Sequence, residues 1–262
     1  MPDPTVVPDR RGGLLPAMTD DGAPANGAGI ADRLASSISL GVFSPGERLP
    51  TEVELARQFG VAVATLRKAL AVMRERGLVE TRRGRSGGTF VVQAPFPSDR
   101  EAAAVLGRTG IVDLRDLHDE YVAVGSAVAR LAAARSVAAG VAGLADVARR
   151  LPSARTAPER ATADSRFHIE LAVLAQSPRL LRSVLRLQGE ISSLYWSGAV
   201  AGTDASTVHA EHLGIVEAVR TGNTRRAERL MEEHVHDCVY RLIDARIALG
   251  REDGTCTERP TT

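Results

Sequence analysis

Apolar positions recur at helical spacing along most of the chain, and one stretch breaks into a shorter rhythm. Ile30, Leu34 and Ile38 predict a first helix ending near Gly41. Val53, Leu55, Ala56 and Phe59 predict a second. Thr51-x-x-Glu54 stands in front of it as a capping box, and Gly60 follows its last apolar residue. Leu66, Ala69, Leu70 and Met73 form one buried stripe and predict a third helix over about Ala62 to Arg76, stopped by Gly77. The pattern then changes. Leu78 to Arg83 and Thr89 to Val92 read as two strands joined by the turn-rich Gly84-Arg85-Ser86-Gly87-Gly88.

After the linker Gln93-Ala94-Pro95-Phe96-Pro97-Ser98 the helical period returns, with no convincing strand. Helical stretches fall at about 99–107, 111–138, 140–151, 158–176, 178–200, 205–221 and 224–250. Gly110, Gly140, Pro152 to Pro158, Ser177-Pro178, Gly202 and Gly222-Asn223 separate them. The expected chain is therefore mainly α: an N-terminal winged helix-turn-helix over 28–93, a linker over 94–98, and an all-α helical bundle over 99–250. Residues 1–27, rich in Pro, Gly, Asp and Ala without periodicity, are expected to be disordered, as is a tail over 251–262.

A helix-turn-helix followed by a basic hairpin suits a DNA major groove, with the wing on the backbone. The candidate DNA contacts are Thr51, Thr65, Arg67, Lys68 and Arg74 in the helical part and Arg82, Arg83 and Arg85 on the wing. Arg67 can fork onto a guanine edge, while Lys68 and Arg74 suit phosphates. Charge supports this division. The net charge of the 262 residues is +1, yet residues 28–95 hold ten cations against six acids, and the remainder is net negative.

In the bundle, Asp164-x-x-x-His168 places a carboxylate and an imidazole one turn apart, beside Phe167 and Leu171. His212 precedes Ile215, Val216 and Val219, and His234 lies among Met231, Val235 and Cys238. Both sit on inward stripes. One Asp and three inward His are a ligand set for a divalent metal, with Zn first and Ni, Mn or Fe also suited. His209, one turn before His212, and His118 are candidates for the surroundings of the site, whereas His236 diverges from His234. The two cysteines, Cys238 and Cys256, form no CxxC and no disulfide framework. No apolar run of 18 residues and no charged-then-apolar leader is present, so a cytoplasmic protein without a membrane segment is expected.

Several of these motifs carry a family resemblance. Gly41-Val42-Phe43-Ser44-Pro45-Gly46-Glu47-Arg48-Leu49-Pro50-Thr51-Glu52, Leu55-Ala56, Gly60-Val61, Leu66-Arg67-Lys68-Ala69-Leu70, Arg76-Gly77-Leu78-Val79 and Gly88-Thr89-Phe90-Val91 resemble the DNA-binding half of GntR-family transcriptional regulators. Val53 and Val63 stand where that family usually carries arginines that touch DNA; Arg67 matches a third. Asp164-x-x-Phe167-His168, Glu211-His212-x-x-Ile215-x-x-Ala218, Gly222, Ala227 and Met231-x-x-His234 resemble the FCD ligand-binding domain of the FadR subfamily. That resemblance implies a divalent metal held by Asp164, His168, His212 and His234.

It also implies a small carboxylate-type effector, a homodimer, and a near-palindromic double-stranded operator, with repression the expected sign. Tyr121 stands where relatives carry an arginine for an anionic effector. Arg115, Tyr121, Ser193, Tyr195 and Trp196 are the candidate pocket residues. The expected protein is not an enzyme. Two alternatives remain at this point: a metal-dependent hydrolase using the same four ligands, and a regulator acting mainly through protein contacts with weakened specific DNA binding.

Overall fold

A computed structural model describes residues 26–84 and 87–255. Most of the segment expected to lack structure over 1–27 lies outside them, as does most of the tail. The chain divides into two compact units at Pro95/Phe96.

The first unit opens with α1, Gly27–Ser39, whose Asn26 cap accepts from the Gly29 amide at 2.9 Å. The helix thus begins inside the segment expected to be disordered, because Asn26 satisfies one of its free N–H groups. It buries Ile30, Leu34 and Ile38 and packs on the third helix. Next comes α2, Glu52–Gln58, with both halves of the Thr51/Glu54 capping box formed. Phe59 closes it and Gly60 turns the chain at φ 64°, a left-handed value natural to glycine. Helix α3, Val63–Glu75, buries Leu66, Ala69, Leu70 and Met73, as the stripe predicts. Its N-cap is Ala62, which makes no side-chain cap bond. The wing is β1, Val79–Arg82, antiparallel to β2, Gly88–Val91, with Val79 opposite Val91 and Arg82 opposite Gly88. The segment before α2 runs beside β2: Leu49 donates to the Thr89 carbonyl at 2.8 Å and Val91 to that of Glu47 at 2.9 Å.

The second unit holds α4 (Asp99–Arg108), α5 (Ile111–Arg135), α6 (Ala138–Ala148), a 3₁₀ turn (Leu151–Ser153), α7 (Ala157–Leu174), α8 (Pro178–Tyr195), α9 (Ala205–Arg220) and α10 (Thr224–Thr255). Three boundaries differ from expectation. The break expected at Gly140 falls earlier, at Ser136-Val137, and Gly140 lies inside α6. The glycine serves close approach instead: a Cβ there would stand 2.7 Å from Leu174 Cδ2 of α7. Helix α8 stops at Tyr195 rather than near 200, and α10 continues past Gly250 to Thr255. Helices α5 and α10 lie along one another, and α7 packs on α5, α6 and α8. The core these helices share contains Phe167, Leu171, Leu187, Ile215 and Val235, and the polar cluster lies among them.

Candidate functional site

Two groups of side chains carry chemistry, one in each unit. In the first unit, the face of α3 opposite its buried stripe presents Ala64, Arg67, Lys68 and Arg74 to solvent. Arg67 is 67% exposed and donates through Nε to Glu52 Oε2 at 2.7 Å. Arg74 donates to the Thr81 hydroxyl at 3.4 Å. Thr51 is exposed, but its hydroxyl donates to Glu54 Oε2 and accepts from the Glu54 amide, so its first role is the cap. Thr65 is half-buried in the first turn of α3. On the wing, Arg82 pairs with Glu80 at 2.7 Å and lies 4.3 Å over the Phe90 ring, while Arg83 is exposed. Arg85 falls outside the described residues. Val53 is 68% exposed, an uncommon setting for a valine and the place where the resemblance puts an arginine.

In the second unit, Asp164 and His168 of α7, His212 of α9 and His234 of α10 converge, each contributing one ligand atom within 4.8 Å of the others. All four are buried. Phe167 stacks on His212 at 3.7 Å between centroids and fixes that ring's plane. Nε2 of His168 and Nε2 of His234 face each other at 3.2 Å, and Asp164 Oδ1 lies 3.4 Å from His212 Nε2 and 3.7 Å from His168 Nε2. Around this set, Glu211 Oε2 meets His234 Nδ1 at 2.6 Å, and Tyr121 Oη lies 3.4 Å from His168 Nδ1. Gln188 donates to Tyr121 Oη at 2.6 Å.

The electrostatics suit a cation. Burial pushes the Asp164 carboxyl up to about 6, against the pull of His234. Burial likewise holds His168 and His212 well below the usual imidazole range, and neighbouring His234 adds to it, so both rings are neutral. Asp164 Oδ1 and both nitrogens of His212 are buried without a hydrogen-bond partner. Such groups are costly unless satisfied. Neutral imidazole nitrogens and a carboxylate oxygen pointed at one spot are the donor set of a divalent transition metal. The residues present therefore fit such an ion.

The remaining expectations sort themselves around this cluster. Tyr121 is buried against it. Tyr195 is buried beside Trp196, with ring centroids 5.3 Å apart, and burial raises the pKa of its phenol. Ser193 is half-buried, whereas its neighbour Ser192 is buried and donates to the Ala161 carbonyl. Arg115 is exposed on α5 and is not among the side chains joined to the cluster. His209 bonds the Ala148 carbonyl at 3.0 Å, and His118 lies with His236 and Tyr240. Glu211, Gln188 and Glu52 were missed by sequence reasoning. Glu211 stood next to His212 in the quoted motif, but only the structure directs its side chain to His234.

A winged helix-turn-helix with a cationic second helix, followed by a helical bundle with a buried polar cluster, is the architecture of a DNA-binding regulator with an attached helical domain. Comparison with known proteins agrees. Residues 26–91 match the model of "Bacterial regulatory proteins, gntR family", and residues 116–237 match that of the "FCD domain". A Mycobacterium gastri protein named as an HTH-type transcriptional regulator, RmpR, is 46% identical over 84% of this chain and 81% of its own. The Uxu operon regulator of Haemophilus influenzae is 26% identical over 82% and 81%, and the HTH-type transcriptional regulator LutR of Bacillus subtilis 28% identical over 76% and 92%.

The chain belongs to the GntR family of transcriptional regulators and carries the FCD domain of the FadR-like subfamily. Its named relatives are regulators, not enzymes, which removes the hydrolase alternative. No helix among the described residues is long and apolar enough to cross a membrane.

Proposed function

We propose that this regulator is a homodimeric repressor whose helical domain holds one divalent metal, zinc first, and takes up a small carboxylate effector beside it. The observation that carries this reading is the convergence of Asp164, His168, His212 and His234, with Asp164 Oδ1 and both His212 nitrogens buried and unsatisfied. When bound, the metal supplies a Lewis-acid centre that can accept an effector carboxylate. The chain's own residues do the rest. Glu211 accepts the Nδ1 proton of His234 and so turns its Nε2 lone pair inward. Gln188 and Tyr121 form a polar chain to His168 and offer hydrogen bonds to a small ligand.

In the other unit, Arg67 meets a base edge in the major groove. Lys68, Arg74 and Arg83 meet phosphates. Two copies of that unit suit a near-palindromic operator. The effector would weaken DNA binding only by as much as it prefers the DNA-incompetent arrangement, a preference that would arise where it meets the surroundings of Asp164, His168, His212 and His234.

Elemental analysis of purified protein beside a His168→Ala/His234→Ala variant tests the metal. About one divalent ion per chain, lost in the variant, is the expected result; metal retained in full by the variant removes the assignment. For the DNA-binding face, Arg67→Ala is expected to weaken specific binding by about 1–3 kcal/mol in fluorescence-anisotropy titrations. Unchanged affinity would sink the base-reading role.

A further inference from the structure

We propose that Glu52 is a positioning residue for DNA recognition: it holds the Arg67 guanidinium in the plane from which that group reads a base. The inference rests on the reading that Arg67 meets a base edge. Glu52 is the first residue of α2 and Arg67 lies in the second turn of α3, so the pair spans the two helices of the helix-turn-helix. The contact is 2.7 Å and runs from Nε to Oε2. The carboxylate side chain is 39% exposed and the guanidinium 67%, so the acid lies deeper and the cation stands above it.

The edge used is the informative detail. A guanidinium carries five N–H donors in a fixed plane. With Nε engaged, the two terminal nitrogens keep a free edge, which is the edge that matches the paired acceptors N7 and O6 of guanine. An arginine without such a partner is a flexible cation beside a polyanion, and the nearest phosphates attract it whatever the sequence. Glu52 opposes that in two ways. It pins the plane from behind, and its own charge penalises close approach to phosphates, so binding anywhere but at the right base loses affinity. Stability does not account for the pair, since an exposed ion pair contributes little to folding. The adjoining Val53 adds weight: it is exposed and uncharged, so reading by this end of α2 falls on the Glu52–Arg67 pair.

The test uses the full chain and a pool of random-sequence duplexes. Wild type, Glu52→Gln, Glu52→Ala, Arg67→Ala and the double Glu52→Ala/Arg67→Ala are each taken through selection. Each is then titrated against the duplex that wild type enriches and against an unrelated duplex of equal length. Glu52→Ala is expected to lose base preference at the same position as Arg67→Ala. Its ratio of specific to unrelated binding should fall about tenfold, while binding to the unrelated duplex holds or rises. Glu52→Gln, which keeps an oxygen acceptor and the side-chain shape, should fall between, and the double variant should match Arg67→Ala. Glu52→Ala or Glu52→Gln retaining the wild-type preference at every position, with only a general gain in affinity, overturns the proposal and makes Glu52 a bystander acid. If Arg67→Ala itself keeps the full preference, the base-edge reading of Arg67 falls and takes the proposal with it. That outcome is distinguishable because it appears in the arginine arm alone.

Discussion

His234 shows how much one side chain depends on another. Its Nδ1 sits 2.6 Å from Glu211 Oε2, and this contact sets the tautomer that turns Nε2 toward His168. Removing such a partner commonly costs a metal site about 10- to 100-fold in affinity. Glu211→Gln is therefore expected to weaken metal binding by that factor with the fold intact, measured by competition with a chromogenic chelator. Asp164 sets the pH dependence. Burial raises its carboxyl to about 6, so metal-free protein holds that proton below pH 6 and each incoming ion displaces it. The Asp164 proton alone should make apparent metal affinity fall about tenfold per pH unit below about 6. His168 and His212, held neutral by burial, add no slope there. A flat profile from pH 5 to 7 would contradict the assignment of Asp164. The convergence of Asp164, His168, His212 and His234 was legible in the sequence because each sits on a helical stripe of apolar neighbours. Glu211 and Gln188 were not assigned roles, since their partners lie on other helices and no spacing along the chain records a bond of that kind.

Among the elements, α3 carries a local weakness. Its N-cap is Ala62, at φ −67° and ψ 145°, the backbone conformation of a capping residue without the hydroxyl that would complete it. Ala62→Ser should stabilise the DNA-binding unit by about 1 kcal/mol, measured by chemical denaturation. No gain would mean that the free amides of the first turn are already well solvated. The helices themselves were readable wherever a cap or turn acts locally: Thr51/Glu54 starts α2, and Gly60 ends its turn as expected. The errors fell where tertiary packing decides. Gly140 looks like a breaker in the sequence, yet it is the residue that lets Leu174 approach α6. Nothing in the local pattern distinguishes a glycine that ends a helix from one that admits a neighbour. The far end of α8 was overestimated for a related reason. The stretch expected over 178–200 ends at Tyr195, and beyond it the Gly198 amide bonds Asp99 Oδ1 at 2.7 Å.

At the scale of the molecule, the charge division follows the domain division. Most cations of the N-terminal unit lie on or at the end of α3 and on the wing, while the bundle concentrates its unusual chemistry inside. Three helices, α7, α9 and α10, bring Asp164, His168, His212 and His234 to one point. A metal there should raise the thermal midpoint of the bundle. At a free concentration 100 times its dissociation constant, the linkage is worth about 2.7 kcal/mol. Differential scanning calorimetry with and without chelator checks this, and an unshifted bundle transition would leave the cluster without a structural ion.

The unsatisfied atoms of Asp164 and His212 reach beyond the folded state. A chain that folds without metal carries their desolvation cost uncompensated, so a larger fraction of it stands open at any moment. Cellular proteases draw on that open fraction. The number of regulator molecules in a cell should therefore track the metal supply, through turnover of the protein and with no effector involved. Metal starvation would thin the regulator before any other signal reaches it.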